Sequence, residues 1–554
     1  MSPAKELRIT FLGGLGEIGR NCACIEVEGK LIVVDCGVMF PDPDMPGVDL
    51  VLPDLSYIVE NADRLEGIVL THGHEDHTGA LSFLLRKVSA PIYGSRLTLG
   101  LASNRIREAG LLDETSLIEV RDGDRVTIGG CQVEFIPVTH SVPDAFALAF
   151  HTPQGVVLHS GDFKLDLDPV DGRRTDLSRI GELARGPGIR LLLADSTNAE
   201  ESGYTASEST VGGVLRRIMV ERPTKRVVVA CFASHIHRIQ QIMDAAQRNG
   251  RHIAILGRSL AHNVELARSL GVLTVDDRWL LDVDQINDFE PGDVCVISTG
   301  SQGEPMSALS LMANGENKRL TIGGKDVVVI SAHPIPGNEW HVGRVIDGLH
   351  RRGAEVIHHG KEPVHVSGHA RREELRTLLS VAQPGCFIPV HGEYRHLVHH
   401  AELAKSLVPP DQVLLCEDGD VVTLDSVGIR KVGEVPADLL YVDGTVGGVG
   451  HGVLRDRRLL ADEGMVVVVA NVSVHDLSVV GPPRVITRGW VHGPQADELL
   501  EDAASAVEEA LQKAMSDGAR DTEALARSAR KALGKLVSER THRRPLIIPV
   551  VLSV

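Results

Sequence analysis

The sequence predicts an α/β protein in which a sandwich of β-sheets is interrupted by an inserted α/β domain and followed by a small C-terminal α/β domain. Several strand-like runs end in histidine or aspartate, which indicates sheets that present polar groups along one edge. From about residue 209 to 363 strands alternate with helices, which is typical of βαβ units on a parallel sheet. Beyond residue 464, two long charged helical stretches precede an apolar last strand.

The chain of 554 residues is too long for one core, which predicts three or four domains. We predict a linker from the glycine-rich stretch at 444–450. The predicted boundaries are the first part of the sandwich at 1–208, the insert at 209–365, the return of the sandwich at 366–447, the linker at 448–463 and the C-terminal domain at 464–554.

Composition predicts a cytoplasmic protein without a membrane partner. The chain is 43% hydrophobic and 24% charged, as is ordinary for a globular protein. No apolar run approaches the roughly 18 residues of a membrane span, and the N-terminus has no signal-peptide core. The eight cysteines lie in apolar strand-like contexts, so we expect buried reduced thiols.

The formal net charge of −18 opposes long-range attraction of a nucleic acid. Local charge can reverse this, because basic residues outnumber acidic ones between Arg222 and Arg268. This stretch predicts either a basic face that binds nucleic acid or an ordinary solvated helical face. Its basic residues are Arg222, Lys225, Arg226, Arg238, Arg248, Arg251, Arg258 and Arg268.

Near the N-terminus, Gly14, Gly16 and Gly19 form a G-x-G-x-x-G pattern. A dinucleotide-binding fold requires a helix after it, whereas the sequence predicts a β-hairpin at 22–35, so we reject that interpretation. Asp35 ends the hairpin. It either orients a ligand histidine or caps a turn.

Residues 71–78 carry the strongest chemical pattern of the chain. They follow a short buried strand at 65–70, and we expect a helix from Thr78 onward. His72, His74, Asp76 and His77 lie within six residues, which suits two cations if alternate side chains point to different metals. Imidazole and carboxylate without thiolate favour zinc, manganese or iron. The H-x-H-x-D-H spacing after an apolar strand argues against a histidine-rich surface turn.

Later strand-like runs also end in candidate ligands. Runs at 133–139, 156–161, 189–194 and 386–390 are followed by His140, Asp162, Asp195 and His391. In the insert, the segments 300–304 and 331–334 each follow a strand, which is where α/β sheets usually bind ligands. A site at the rim of the sandwich, built on these loops, is therefore expected.

The ordered set of histidines and aspartates resembles the metallo-β-lactamase superfamily. The insert, together with Asp195, His369 and His391, narrows the resemblance to the β-CASP nucleases. The stretches 13–19 and 37–42 and the C-terminal domain resemble the bacterial ribonuclease J family, and this resemblance covers essentially the whole chain. It implies a metallo-β-lactamase αββα sandwich with an inserted β-CASP domain.

The resemblance also implies two divalent metal ions per subunit, with zinc favoured and manganese as the alternative. One would be held by His72, His74, His140 and Asp162, the other by Asp76, His77, Asp162 and His391. Asp35 and Asp195 would support the ligands, while His369 would contact the scissile phosphate and protonate the leaving 3′-oxygen. A pocket for an RNA 5′-monophosphate is placed around Ser331, His333, His365, Ser367 and Gly368. Phe40 would either stack on a base or pack in its loop.

The implied function is a two-metal ribonuclease acting on single-stranded RNA by 5′-to-3′ exonuclease and endonuclease action, in mRNA decay and RNA maturation. We expect a preference for 5′-monophosphate ends, products with a 5′-phosphate, a homodimer or homotetramer formed through the C-terminal domain, and partners in an RNA-decay complex. The alternatives are a β-CASP nuclease acting on DNA and an idle RNA-binding scaffold, whereas a small-molecule hydrolase gives the insert no role.

Overall fold

The computed structural model describes residues 7–42, 44–335, 337–444, 446–491 and 494–554. The chain forms two compact units. The first contains the described residues up to Phe40 together with Val51–Leu439, and the second contains Pro41–Leu50 and Leu440–Val554. Thr445, in the predicted linker stretch, lies outside the described residues.

Two mixed sheets form the sandwich of the first unit. In spatial order, the strands of the larger sheet are Ile429–Glu434, Asp420–Leu424, Leu7–Gly13, Cys22–Val27, Lys30–Val34, Leu65–Val69, Ile92–Gly94 and Leu117–Glu119. Those of the smaller sheet are Cys386–Val390, Ile189–Asp195, Gly155–His159, Phe146–Thr152, Cys131–Pro137 and Arg125–Ile128. Two short strands, Leu15–Gly16 and Gly392–Glu393, pair separately, and Leu50–Leu52 is a further short strand.

The inner faces of the two sheets share one hydrophobic core. Ile9 and Ile32 come from one sheet and Phe135, Leu191 and Ile388 from the other, and all are at most 2% exposed. Helices cover the outer faces, which gives the four-layer order expected from the sequence. The helices of this part are Ser56–Glu60, Glu75–Thr78, Leu81–Leu85, Arg96–Glu108, Leu177–Arg185, Arg372–Ala382 and Tyr394–Ala404, with 3-10 turns at Ala62–Arg64, Leu112–Glu114 and Pro410–Gln412.

The insert is a parallel sheet with helices on both faces. Its strands, in spatial order, are Leu280–Leu281, His252–Leu256, Val294–Ser298, Arg226–Ala230, Asp326–Ile330 and Glu355–His358. Its helices are Ser209–Val220, Ile236–Arg248, Arg258–Ser269, Ala308–Asn314 and Glu339–Arg351, with 3-10 turns at Asp277–Trp279, Val283–Asp288 and Pro291–Asp293. Valine-rich strands such as Arg226–Ala230 are buried on both faces, as a covered parallel sheet requires.

The second unit contains a sheet packed against two long helices. Strand Met465–Ser473 pairs with Ser478–Val479, Arg484–Arg488 and Leu546–Ser553. The helices Pro494–Ser516 and Thr522–Thr541 contribute Val507, Leu511, Leu525 and Leu533 to its core. A hairpin of Leu440–Asp443 and Val446–Val449 precedes helix His451–Glu463, so most of the predicted linker is helical.

One expectation is wrong. The helix predicted to begin at Thr78 begins at Glu75, because His74 has extended backbone angles and the acidic Glu75 and Asp76 favour a first helical turn. In the stretch 222–268, for which a basic face and a solvated helical face were both considered, Arg226, Arg238 and Arg251 are buried whereas Arg248 and Arg258 are exposed. Among the described residues, no helix is long and apolar enough to cross a membrane.

Candidate active site

The strand ends of the sandwich bring the candidate residues together at one rim. Asp35 and His72 follow neighbouring parallel strands of the larger sheet. In the smaller sheet Asp195 pairs in parallel with Val390, so His391 emerges beside it. His140 and Asp162 follow the strands Cys131–Pro137 and Gly155–His159 of the same sheet. Residues more than 300 positions apart in the sequence therefore meet because of sheet register.

The first group at the rim consists of His72, His74, His140 and Asp162, whose ligand atoms all lie within 4.8 Å of one another. His74 Nδ1 lies 3.0 Å from His72 Nε2 and 3.2 Å from His140 Nε2. Three imidazole nitrogens thus face a common point. Lone pairs directed at one another repel, so this arrangement suits a cation placed among them.

The second group consists of Asp76, His77, Asp162 and His391, again within 4.8 Å. His391 Nε2 lies 3.4 Å from Asp76 Oδ2, and His77 Nε2 lies 3.7 Å from the same oxygen. Asp76 and His77 occupy the first turn of the short helix Glu75–Thr78, whereas His391 comes from the far end of the first unit's sequence.

A single oxygen atom belongs to both groups. Asp162 Oδ2 lies 3.3–3.8 Å from the Nε2 atoms of four imidazoles, those of His72, His77, His140 and His391. These separations exceed hydrogen bonds, but two ligands of one tetrahedral zinc ion, each bound at about 2.1 Å, lie about 3.4 Å apart. The donor set therefore fits two divalent cations that share Asp162.

The outward nitrogen of several rings is fixed by a hydrogen bond. His77 Nδ1 donates to Asp35 Oδ2 at 2.7 Å, because a carboxylate can only accept. His140 Nδ1 donates to the carbonyl of Gly368 at 2.9 Å. Each bond places a hydrogen on Nδ1, so Nε2 is the nitrogen that faces the site. Such partners orient metal ligands and increase their basicity.

His391 is held in the same way through a hydroxyl. Thr197 Oγ1 donates to Asp195 Oδ1 at 2.7 Å, so its oxygen accepts from His391 Nδ1, also at 2.7 Å. On the opposite side of the site, Thr71 Oγ1 donates to Asp35 Oδ2 at 2.7 Å and accepts from His72 Nδ1 at 3.1 Å. Two threonines therefore transmit carboxylate hydrogen bonds to ligand rings.

Burial keeps the first group of histidines neutral. It lowers the pKa of His74 to about 4 and places those of His72 and His140 well below the usual range. A neutral imidazole has the lone pair that a metal needs, so these three rings could accept a cation without first losing a proton.

Carboxylates dominate around the second group. Burial alone would lower the pKa of His391, but Asp162, Asp195 and Asp76 raise it to about 10. The pKa of His77 is raised in the same way, chiefly by Asp162 and Asp76. Conversely, burial would raise the pKa of Asp162, and the charges of His391 and His77 hold it well below its usual range. Asp162 is therefore ionised.

His369 lies beside the second group, held by Asp195. Its Nδ1 donates to Asp195 Oδ2 at 2.8 Å and is 4.0 Å from Asp162 Oδ2. The ring stacks on that of His391, with centroids 5.4 Å apart. Its side chain is 20% exposed, whereas Asp195 is 1% exposed. With Nδ1 committed to Asp195, Nε2 is the atom of His369 available to a substrate.

The backbone at the site is constrained. Asp35 and His391 have φ values of 57° and 52°, in the left-handed region that few non-glycine residues adopt. Gly37 is required for space, because a Cβ there would lie 1.6 Å from the carbonyl oxygen of Asp76. At Gly368 a Cβ would lie 2.7 Å from His140 Cε1.

The residues expected to bind substrate occupy different environments. Ser331 is fully buried, and its hydroxyl donates to the carbonyl of Val364 at 2.6 Å. His333 is exposed and packs against His359. Ser367 Oγ accepts from Asn198 Nδ2 and from the backbone of His369.

The remaining two substrate-binding candidates also differ in exposure. Nδ1 of His365 is buried without a hydrogen-bond partner among the described residues, and burial lowers the pKa of this ring. Phe40 is 56% exposed. Its ring is thus largely open to solvent, whereas His365 is half-buried.

Three residues near the ligands were not anticipated: Thr71, Thr197 and Asn21. Asn21 Nδ2 lies 3.1 Å from both His77 Nε2 and the carbonyl of Asp76. Thr71 and Thr197 adjoin predicted site residues, and adjacency was the available signal. The sequence gives no such signal for Asn21, because only the packing of the loop Gly14–Asn21 against Asp76 brings it to the site.

Family comparisons agree with this geometry. Residues 15–202 match the metallo-beta-lactamase superfamily. Residues 224–349 match the beta-CASP domain of ribonuclease J, 354–409 match the RNA specificity domain of zinc-dependent metallo-hydrolases, and 452–554 match the ribonuclease J C-terminal domain.

Full-length relatives decide the assignment. Ribonuclease J of Mycolicibacterium smegmatis is 42% identical over 99% of this chain and 97% of its own length. The chain belongs to the ribonuclease J family. Ribonuclease J of Thermus thermophilus is 40% identical over 100% of the chain and 96% of its own, and ribonuclease J2 of Bacillus subtilis is 38% identical over 99% of each.

Membership in this family makes the chain a metal-dependent ribonuclease, with RNA as its class of substrate. A crystal structure of an Enterococcus faecalis protein of unknown function shares the fold, with a TM-score of 0.54 and 16% identity over 76% of this chain and all of the other. The predicted family and fold are confirmed.

Proposed function

We propose that this ribonuclease hydrolyses phosphodiester bonds of single-stranded RNA at two divalent cations. His72, His74, His140 and Asp162 would hold one cation, and Asp76, His77, Asp162 and His391 the other. The observation that carries the proposal is the position of Asp162 Oδ2, which lies 3.3–3.8 Å from ligand nitrogens of both groups.

Two bound divalent cations supply an activated water and stabilise the oxyanions of the transition state. The protein's own part is orientation. Asp35 fixes His77, Asp195 fixes His391 through Thr197, and the Gly368 carbonyl fixes His140. Rigid ligands keep the site arranged before substrate arrives, which lowers the reorganisation needed in the transition state.

His369 would contact the scissile phosphate and give a proton to the leaving 3′-oxygen. Asp195 supports this role, because its carboxylate accepts from Nδ1 at 2.8 Å and so places Nε2 toward the substrate. The 20% exposure of the His369 side chain leaves that nitrogen accessible. Cleavage of the bond between phosphorus and the 3′-oxygen leaves a 5′-phosphate on the product.

Both 5′-to-3′ exonuclease and endonuclease action are proposed, with a preference for 5′-monophosphate ends. The exposed ring of His333, together with His365, Ser367 and Gly368, would receive the terminal phosphate. Ser331 would contribute through the loop it holds rather than by touching RNA, since its hydroxyl is bonded to Val364. Phe40, which is 56% exposed, would stack on a base.

The remaining expectations stand as proposals. Zinc is the favoured ion and manganese the alternative. Self-association as a homodimer or homotetramer through the C-terminal domain, partners in an RNA-decay complex, and a cytoplasmic role in mRNA decay and RNA maturation follow from the family resemblance. So do the domain boundaries at residues 208, 365, 447 and 463.

The deciding experiment supplies zinc or manganese and compares matched RNAs that carry a 5′-monophosphate or a 5′-triphosphate, with a DNA of the same sequence. We expect stepwise release of nucleotides from the monophosphorylated RNA, slower attack on the triphosphate, and two metal ions per chain by elemental analysis. Preferred cleavage of DNA would favour the rival β-CASP nuclease. RNA binding without cleavage would favour a scaffold, although a complete ligand set argues against it.

A further inference from the structure

The loop at 364–370 carries His369 and Gly368, and two buried side chains of the insert, Arg238 and Ser331, hold its first residue. Arg238, on helix Ile236–Arg248, donates from Nη1 to the carbonyl of Val364 at 2.9 Å. The same nitrogen donates to Ser331 O at 3.0 Å and to Ser331 Oγ at 2.7 Å. Arg238 is 0% exposed. One guanidinium group therefore ties the end of strand Asp326–Ile330 to the start of the loop.

The charge of Arg238 is neutralised inside the protein. Its Nε and Nη2 donate to the two carboxylate oxygens of Glu208 at 2.7 and 2.9 Å. Gln241 Nε2 donates to the same carboxylate at 2.8 Å. A planar guanidinium suits this two-pronged arrangement, which a lysine cannot reproduce. With Glu208 bound in this way, Arg238 acts on the protein backbone rather than on a phosphate.

The network continues to the part of the sandwich that carries the proposed metal ligands His140 and Asp162. The backbone N–H of Glu208 donates to Asp166 Oδ2 at 2.9 Å, and Lys164 Nζ lies 3.2 Å from that oxygen. The backbone N–H of Lys164 donates to the carbonyl of Thr139 at 2.8 Å, next to His140. Lys164 itself lies two residues after Asp162. The network thus runs from the loop that carries His369 to the backbone beside His140 and Asp162.

We infer that Arg238 is a positioning residue for catalysis: it fixes the loop at 364–370 so that His369 reaches the scissile phosphate. The inference rests on the proposed function, because it assigns Arg238 an effect only through His369. Val364 is five residues before His369, and Ala370 at the far end of the loop is bonded to Phe163 O at 2.7 Å. Without the guanidinium, Val364 O keeps only the bond from Ser331 Oγ at 2.6 Å, so the near end is loosened while the far end stays attached.

The test compares Arg238→Met with Arg251→Met. Arg251 is a matched control, since it is 2% exposed in the same insert and also donates to backbone carbonyls, those of Lys225, Met219 and Arg222. Both variants should lower the melting temperature. Only Arg238→Met should lower kcat on single-stranded RNA, by about tenfold or more, as part of a general-acid contribution is lost. If Arg238→Met fails to fold, Arg238→Lys replaces it, with an intermediate kcat expected.

Two further measurements separate positioning from a general loss of structure. Bis(p-nitrophenyl) phosphate has a leaving group that departs without a proton, so Arg238→Met should lose much less activity on it than on RNA. In a His369→Ala background, Arg238→Met should change kcat on RNA by less than about a factor of two, the usual error of additivity.

Several results would overturn the inference. One is an equal loss of activity on both substrates, and another is an undiminished effect of Arg238→Met in the His369→Ala background. A raised KM at constant kcat would indicate a direct phosphate contact instead. Equal kcat values for the Arg238 and Arg251 variants would show that the effect is not specific to Arg238. Failure of the proposed function itself looks different: wild-type protein with metal would leave RNA intact, or His369→Ala would cleave it at the wild-type rate.

Discussion

Asp162 and Glu208 are both buried carboxylates of the first unit, but they are compensated differently. Glu208 accepts three direct side-chain hydrogen bonds from Arg238 and Gln241, at 2.7–2.9 Å. Asp162 Oδ2 is surrounded by imidazole nitrogens at 3.3–3.8 Å, which is beyond hydrogen-bond length. A buried charge must be compensated. Glu208 is compensated by the protein itself, whereas the spacing around Asp162 fits shared cations.

The comparison teaches that spacing separates a structural carboxylate from one whose surroundings suit a metal. Sequence context is similar for the two, since both lie in loops after strands of the smaller sheet. The neighbours differ: a guanidinium keeps its charge, whereas the imidazoles around Asp162 can present lone pairs to a cation once any added proton has left. The predictions below test this difference, beginning with the largest effect.

Replacing Asp162 by Asn should remove RNA cleavage, by at least about 10³-fold in turnover, because loss of the cations returns the attacking water toward its ordinary pKa. Elemental analysis should show fewer bound ions, while circular dichroism stays close to wild type. The matched change is Asp326→Asn, at a buried carboxylate paired with Arg226 within the insert. That variant should be less stable but should keep its metal. Cleavage retained in Asp162→Asn would contradict the shared-ligand assignment.

Replacing His369 by Ala should lower kcat on RNA by about 10²- to 10⁴-fold, the usual contribution of a general acid. Metal content should stay the same, because all seven proposed ligands remain. Steady-state kinetics on RNA and elemental analysis on the same preparation measure both quantities. Loss of the metal in this variant would instead make His369 a ligand, as its place beside Asp162, Asp195 and His391 permits.

Replacing Asp35 by Ala should weaken metal affinity by about 10- to 100-fold, because His77 loses the hydrogen bond that orients its ring. A competition titration against a chromophoric chelator measures this change. Excess metal should restore most of the activity. If activity stays low at saturating metal, Asp35 has a role beyond orientation.

Metal affinity should rise with pH by about tenfold per unit for each proton displaced. The pKa of His391 is raised to about 10 by Asp162, Asp195 and Asp76, so in the metal-free protein this ring binds a proton at neutral pH. A cation must displace that proton, and binding is therefore weaker at low pH. Chelator competition at several values between about pH 6.5 and 8.5 gives the slope. A flat profile would show that His391 is already neutral there.

Much of the site could be predicted from single segments of the sequence. His72, His74, Asp76 and His77 lie within six residues after an apolar strand, so their proximity needs no tertiary information. His140, Asp162, Asp195 and His391 each follow a strand-like run, which placed them at a sheet edge. Their grouping required the family resemblance, since local sequence does not state which strands are neighbours.

Other features were outside the reach of the sequence. Arg238 belonged to an apparently basic stretch, and only packing showed that Glu208, thirty residues earlier, neutralises it. Ser331 resembled a substrate-binding serine at a strand end, but its hydroxyl is bonded to Val364. Asn21 approaches His77 because the connection between the strands Leu7–Gly13 and Cys22–Val27 packs against Asp76.

The sequence by itself determined the strands, the helices of the insert and the chemical type of the ligands, because periodicity and side-chain chemistry are local properties. Only the tertiary structure decided which groups share Asp162, which nitrogen of each imidazole faces the site and which buried charges are already paired. Those outcomes depend on sheet register and on contacts between residues hundreds of positions apart, such as Asp76 with His391. Differences of a few tenths of an ångström in the distances between such residues then separate a hydrogen bond from a spacing that suits two ligands of one metal.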